Sequence, residues 1–314
     1  MNRKKNMPVS LVKNKRNPLK DWELYLFLLL PVIFIIVFKY GSMGGLIIAF
    51  KDYKVRQGIW GSDWIGFENF IRFFRSYEFE RVIKNTLILS LYTLITSFPI
   101  PVIFALMLNC LKNKKFAKIS QTIAAMPHFI STVVIVGIMI TVFHRTEGIY
   151  GNLVHIITGE YPSDIFASPE NFRHLYVWSA VWQNFGWDSI IYTAALTGVD
   201  PSYHEAAKLD GASRFQRVLH VDIPTILPTI ITMLILRMGT IMTIGFEKVY
   251  LMQNSMNLST SQVISTYVYE VGMAAGGGDF SYATAIGLFN NLIGLILVLT
   301  VNKISKKVSE TSLW

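Results

Sequence analysis

The residues able to do chemistry in this chain are many but scattered. Six histidines (His128, His144, His155, His174, His204 and His220) stand apart, and none belongs to a His-Glu-x-x-His arrangement. No Ser-His-Asp pattern emerges either. Cys110 is the single cysteine, which excludes an internal disulfide and a thiolate metal cluster. Gly276-Gly277-Gly278 lacks a following Lys-Ser/Thr, and no Gly-Lys pair occurs anywhere, so a phosphate-binding Walker A loop is excluded. The run reads as a turn. What remains patterned is one long polar interval, residues 200–228, and a sparse set of polar residues inside apolar blocks.

The polar interval has helix-forming composition between two apolar segments. Asp200 suits an N-cap, with Pro201 at the first helical position. Glu205, Ala206, Ala207 and Leu209 continue the helix, and Gly211 stops or turns it. Ser213 is placed to cap a second short helix carrying Arg214, Phe215, Val218 and Leu219. Pro224 and Pro228 then punctuate the next apolar run. His204 and His220 flank these helices, where solvated or backbone-bonded roles are expected. By helical pattern alone, this is an amphipathic surface pair.

The elements that must position these residues follow from composition. The chain has 314 residues, 52% of them hydrophobic and only 16% charged. The apolar residues fall in blocks of membrane-spanning length rather than in one-sided stripes. A net charge of +9 suits nucleic acid in principle, but the bases cluster beside apolar blocks, as anionic lipid and topology control require. Spans are expected at about residues 24–50, 85–111, 121–143, 174–198, 223–243 and 283–302. The fold class is therefore all-α, a polytopic membrane protein with six transmembrane helices. The first span is basic on its N-terminal side but has no small-residue cleavage site after it, so it reads as uncleaved. Lys39 within it is expected to snorkel or to line the interior.

Charge sets the expected orientation. With the N-terminus inside, seventeen Lys or Arg fall in cytoplasmic segments and ten in outer loops. The chain then divides into a basic tail (1–22), a first span with outer loop (23–84), a core (85–302) containing the cytoplasmic loop at 200–224, and a C-terminal tail (303–314). The aromatic stretch at 60–69 reads as an interfacial belt.

Two charges stand inside the expected bilayer. Asp188 lies 12 residues before Asp200 and Arg237 lies 13 after Pro224, on spans joined by one loop. At ~1.5 Å per residue both sit at about the same depth. A lone charge there costs about 2.5–3.5 kcal/mol on insertion scales, so pairing, a wet cavity or a partner chain is expected.

The spacing Glu205-Ala206-Ala207-x-x-Asp210-Gly211-Ala212, with Phe215 and Val221-x-Ile223-Pro224 downstream, resembles the cytoplasmic coupling (EAA) loop of ABC importer permeases. Beyond it, Phe38-Lys39-Tyr40, residues 48–53, Gly66-Phe67-Glu68-Asn69-Phe70, residues 182–195, Gly245-Phe246-Glu247-Lys248 and Ser312-Leu313-Trp314 look like LplB-type permeases. These are carbohydrate-uptake permeases related to the maltose transporter inner-membrane subunits. The chain departs from the pattern at Gly41-Ser42 and at Asn254-Ser255, where prolines are usual.

The resemblance implies one half of a permease heterodimer in a bacterial plasma membrane, with both termini cytoplasmic. Its implied partners are a second permease subunit, two cytoplasmic ATPase subunits that bind ATP and Mg, and an extracellular solute-binding lipoprotein; no nucleic acid is implied. The chain itself carries no cofactor and is no enzyme. Phe215 is expected to pack between the two short helices, and Ala206, Ala207 and Leu209 to face the ATPase.

Substrate contacts are expected on the fourth span. There Trp178, Trp182, Phe185, Ser189 and Tyr192 share one helical face, and Asn184, Asp188 and Tyr192 a neighbouring one. Aromatic rings stack on sugar C–H faces, while amides and carboxylates pair with hydroxyls. Interhelical packing with polar glue fits the same residues, as it does Asn290 and Asn291 in the last span. The implied solute is an oligosaccharide or related glycan. A peptide or amino-acid permease, a stand-alone channel or carrier, and, remotely, a membrane enzyme are the alternatives.

Overall fold

The computed structural model describes residues 22–274 and 278–309. The basic tail up to residue 21, Gly276, Gly277 and the closing Ser312-Leu313-Trp314 lie outside the described residues. The chain forms two compact units, Met1–Ile47 and Ile48–Trp314.

In the first unit, α1 (Trp22–Phe34) is apolar on every side and its described residues are exposed, as suits a lipid environment. Pro31 removes one amide from its ladder. The helix widens into a π turn over Ile35–Tyr40, passes through α2 (Gly41–Met43), where the Ser42 hydroxyl donates to the Phe38 carbonyl at 2.8 Å, and tightens into a 3-10 stretch over Gly44–Phe50. Lys39 is exposed.

The second unit opens on a folded substructure where an aromatic loop was expected. Strand β1 (Lys51–Asp52) pairs antiparallel with β2 (Asp63–Trp64), and α3 (Gly58–Gly61) fills the turn. Buried Lys51 locks it, its Nζ donating to the carbonyls of Ile59 (2.9 Å) and Ser62 (3.1 Å). Asn69, on α4 (Glu68–Arg75), closes the base by donating to the carbonyl of Ala49 at 2.9 Å. Trp60, Trp64 and Phe67 stay exposed.

Next, α5 (Glu78–Ser97) runs into α6 (Pro99–Cys110), with Pro99 at a first helical turn where its missing amide costs nothing. Asn113 caps α7 (Lys114–Ala125), accepting from the amides of Lys115 and Phe116. The span expected at 121–143 is not continuous. A 3-10 turn at Met126–Phe129 and a 95° bend separate α7 from α8 (Thr132–Val142). Pro127 explains the break by lacking an amide, and Ser131 starts a new helix by accepting from the Val134 amide.

After α9 (Ile149–Thr158) comes α10 (Pro169–Thr197), 29 residues long, and then α11 (Pro201–Leu209) and α12 (Arg214–Arg217). A π turn at Val218–Asp222 leads into α13 (Ile223–Gly239). The short helices α14 (Phe246–Met252), α15 (Leu258–Ser261) and α16 (Ile264–Tyr269) precede α17 (Phe280–Ser309).

Among the described residues, four helical segments are long and apolar enough to cross a membrane: Trp22–Phe50, Glu78–Cys110, Arg214–Gly239 and Phe280–Lys307. The bent pair makes a fifth if taken as one span. The remaining expected span is α10, about 43 Å long at ~1.5 Å per residue. It is long enough, but Arg173, Gln183, Asn184 and Asp188 make it polar.

Helix α10 is the axis of the second unit, packed against α5, α6, α7 and α13. Its first half joins a core with Leu89, Ile135 and Val249, and its second half one with Ala105, Leu106 and Ile226. At Gly186 it crosses α7 backbone against backbone: a Cβ there would stand 2.1 Å from the Ala124 carbonyl oxygen. Only glycine permits that approach.

Candidate functional site

The 200–228 loop is built by local capping. Asp200 accepts from the Ser202 amide at 2.9 Å, and this bond together with the Ser202 hydroxyl holds its carboxyl below the usual carboxylate range. Gly211 sits at φ +80°, which an L side chain adopts only with strain. Around it the Ala212 amide reaches the Ala207 carbonyl (2.9 Å) and the Gly211 amide reaches that of Lys208 (3.1 Å). This is a complete Schellman termination. Ser213 and Gln216 then form a reciprocal capping box at the start of α12.

Leu209 is 89% and Phe215 71% exposed, flanking the turn, with Ala206 exposed and Ala207 half-buried. The expected packing of Phe215 between the two helices is not found. Helix α12 is a single turn, and its capping box directs Arg217 and Val218 inward and Phe215 outward. Glu205 and Asp210 are exposed on α11 and at its end.

His220 is backbone-bonded as expected, its Nδ1 2.9 Å from the Gln216 carbonyl. His204 is not: its Nε2 lies 3.2 Å from Oδ1 of Asp222, a buried carboxylate that also accepts from Asn109 at 3.3 Å. Asp222 thus ties the loop to both α6 and α13. Its signal in the sequence is a lone acid two residues before Pro224.

About two thirds of the way along α10 the carboxylate of Asp188 meets the guanidinium of Arg237 on α13, one of the outcomes that their equal depth allows. Beside the pair, His128 from the α7–α8 break bonds Asn184 at 2.9 Å and stacks on Trp187 with centroids 4.6 Å apart. Arg237 also lines a cavity of about 220 Å³ together with Ser90, Thr93, Ser97, Thr240 and Thr243. None of these serines and threonines was singled out in the sequence, and His128 was read there only as one of six scattered histidines. The break at Pro127 that delivers His128 was the available signal.

The two α10 faces are not uniform. Trp178 and Trp182 are half-exposed and line a largely apolar groove of about 590 Å³ against α8, where Trp178 Nε1 donates to the Tyr92 hydroxyl (3.0 Å), itself 2.8 Å from His174 Nδ1. Ser189 and Tyr192 are buried, because α6 closes over the second half of the helix. Asn290 ties α17 to the turn after α13, donating to the Met242 carbonyl at 3.3 Å, while Asn291 is exposed. At the far end from the loop, Lys248 on α14 is buried with its Nζ 5.3 Å from the Tyr176 ring centroid. Nζ has no hydrogen-bond partner among the described residues, and burial pushes the ammonium down to about 8.

A backbone-capped two-helix loop thus joins two helices, α10 and α13, that share an ion pair. The family model described as the binding-protein-dependent transport system inner membrane component matches residues 81–310. The chain belongs to that family. Protein LplB of Bacillus subtilis is 40% identical over 295 residues, covering 94% of this chain and 92% of its own. The polygalacturonan/rhamnogalacturonan transport permease YteP of the same organism is 38% identical over 312 residues, covering 99% and 94%. A chain from the crystal structure of a bacterial ABC transporter that imports the acidic polysaccharide alginate superposes with a TM-score of 0.84 at 38% identity. That match covers 92% of this chain and 97% of the other. The inner membrane component described here is thus an all-α, multi-pass permease subunit of a binding-protein-dependent system, and not itself an enzyme.

Proposed function

We propose that this chain forms half of the translocation path of an ABC importer for an oligosaccharide or related glycan. In this reading six spans cross the bacterial plasma membrane, α10 and the bent α7–α8 pair included, with both termini cytoplasmic. The 200–228 loop is the coupling loop. The observation that carries the proposal is its geometry: Leu209 and Phe215 stand exposed beside a turn rigidified by Gly211, on a loop whose base is bonded into α6 and α13 by Asp222 and His204. A cytoplasmic ATPase that seats these two side chains gains a handle on the paired spans. Two such ATPases supply ATP and Mg, a second permease completes the path, and an extracellular solute-binding lipoprotein delivers the solute.

Glycan is favoured over peptide by the half-exposed Trp178 and Trp182 and by the serines and threonines around the cavity at Arg237. The permease relatives that transport polygalacturonan, and the alginate importer, support the same class. The Asp188–Arg237 pair then lies beside the path.

The test is Gly211→Val in the assembled transporter. A side chain at φ +80° costs about 1–2 kcal/mol locally, so the variant reaches the membrane in normal amount while solute-stimulated ATP hydrolysis falls at least several-fold. Undiminished stimulation in a well-expressed variant would remove the coupling assignment.

A further inference from the structure

At the end of α10 far from the coupling loop lies a second polar cavity, of about 420 Å³, between α5, α10 and α15. Arg81, Lys84 and Arg173 line it against a single carboxylate in the lining, Glu80. Arg173 is 27 residues before Asp200, which places the cavity about 40 Å from the loop at ~1.5 Å per residue.

The two guanidinium groups are held in place by buried partners. Arg173 Nη2 donates to Asn85 Oδ1 at 2.9 Å. Asn85 is 2% exposed and is itself fixed, its Nδ2 donating to the carbonyls of Ser259 (2.9 Å) and Gln262 (3.0 Å). Arg81 donates to Gln262 Oε1 at 2.6 Å and pairs with Glu78, while Gln262 Nε2 donates to Glu270 at 2.7 Å. Nε of both arginines is buried with no hydrogen-bond partner among the described residues. Those Nε atoms are shut off from the cavity, so a carboxylate there is met by the Nη1 ends, which no hydrogen bond occupies among the described residues. Lys84 is exposed beside them and joins no ion pair among the described residues.

A guanidinium pinned through one nitrogen holds its remaining N–H donors in a fixed direction, where a lysine cluster offers only point charge. Tyr77, 87% exposed at the rim, offers an aromatic face to the sugar ring beside that carboxylate. We infer that this cavity is a subsite for the carboxylate of an acidic sugar residue, so that the glycan admitted here carries uronate groups. The inference rests on the reading of the chain as a glycan permease and narrows its substrate class.

The experiment uses the assembled transporter in nanodiscs of phosphatidylcholine, with trigalacturonate and its carboxyl-reduced, neutral counterpart as probes. Binding is followed by calorimetry without the solute-binding protein. Retained ATPase subunits and basal ATP hydrolysis report separately that the permease reading stands. The expected result is at least tenfold tighter binding of trigalacturonate than of the neutral trisaccharide. Lys84→Gln, which removes no bond of the fold, weakens trigalacturonate about two- to fivefold; Arg173→Gln abolishes the preference, and Arg173→Lys restores only part of it. Equal binding of both probes by a transporter that keeps its ATPases overturns the inference and leaves the permease reading intact. So does a preference that survives both Lys84→Gln and Arg173→Gln. Loss of trigalacturonate binding when phosphatidylglycerol is added would assign the cavity to a lipid headgroup instead. An Arg173→Gln defect confined to docking of the solute-binding protein would assign it to a protein carboxylate; either result also overturns the inference.

Discussion

At one end of α10, Asp200, Gly211 and Ser213 satisfy backbone groups within five residues of themselves. At the other, Arg173 reaches back 88 residues to Asn85, and Asn85 forward 174 to Ser259. The first arrangement lets a loop keep its shape while pushing two large apolar side chains into solvent. The second has no shape until three distant segments have packed. A transport protein needs both: an end that holds its form against a separate partner, and an end whose form reports the packing of the spans.

That contrast makes its largest claim at the crossing of α10 and α7. Gly186→Val puts two methyl groups where a carbonyl already stands, so the long-range assembly is expected to fail outright. Little monodisperse protein should survive detergent extraction, as read by size-exclusion chromatography with a fluorescent tag.

Next in size is the mid-membrane pair. Asp188→Asn and Arg237→Gln each strand a charge, at a cost of about 3 kcal/mol, while the double variant loses much less than the sum. Thermal unfolding of all four proteins gives the coupling, and strict additivity would leave the pair energetically silent.

Lys248 probes the packed end through pH. Its folded pKa of about 8 lies below the ordinary lysine value, so the unfolded chain binds the extra proton and stability rises as pH climbs from about 8 towards about 10.5. Lys248→Met therefore stabilises at pH 7, on the order of 2–3 kcal/mol. The gap from the parent should narrow above pH 8, and a gap independent of pH would deny the buried ammonium. Least of all, Ser213→Ala removes one side of a local capping box, about 1 kcal/mol. It should leave the melting temperature nearly unchanged while loosening ATPase retention, since the damage stays within the loop.

The same contrast decides what was legible in the sequence. Asp200, Pro201, Gly211 and Ser213 act on neighbours, so residue type and spacing sufficed to place both short helices and the turn. Asp188 and Arg237 are 49 residues apart, yet a helix converts sequence distance into depth, and depth brought them together. Counting fails where the chain leaves regular helix. The bend at Pro127 was signalled by the proline and by Ser131, but the apolar run through it reads as a single span. The burial of Lys51 depends on strands of two residues, too short to show alternation. The Asp222–His204 bond and the outward turn of Phe215 depend on which faces meet in three dimensions. The Asn85–Arg173 clasp does so as well, and no local spacing encodes it.

The contact at Gly186 has one more consequence. With a carbonyl pressed against a bare Cα, the two helices have no compressible side chain between them, and this is the point about which a tilt of α10 would turn. Gly186 then serves as a fulcrum. Thr197 lies 11 residues to one side and Arg173 lies 13 to the other, arms of about 16 and 20 Å at ~1.5 Å per residue. A tilt of about 10° that lifts the coupling end moves the arginine end by about 3.5 Å in the opposite sense, by the same ~1.5 Å rise. In the proposed importer, a displacement of the coupling end would therefore return at the Arg173 end enlarged by about a fifth, the ratio of the two arms at ~1.5 Å per residue.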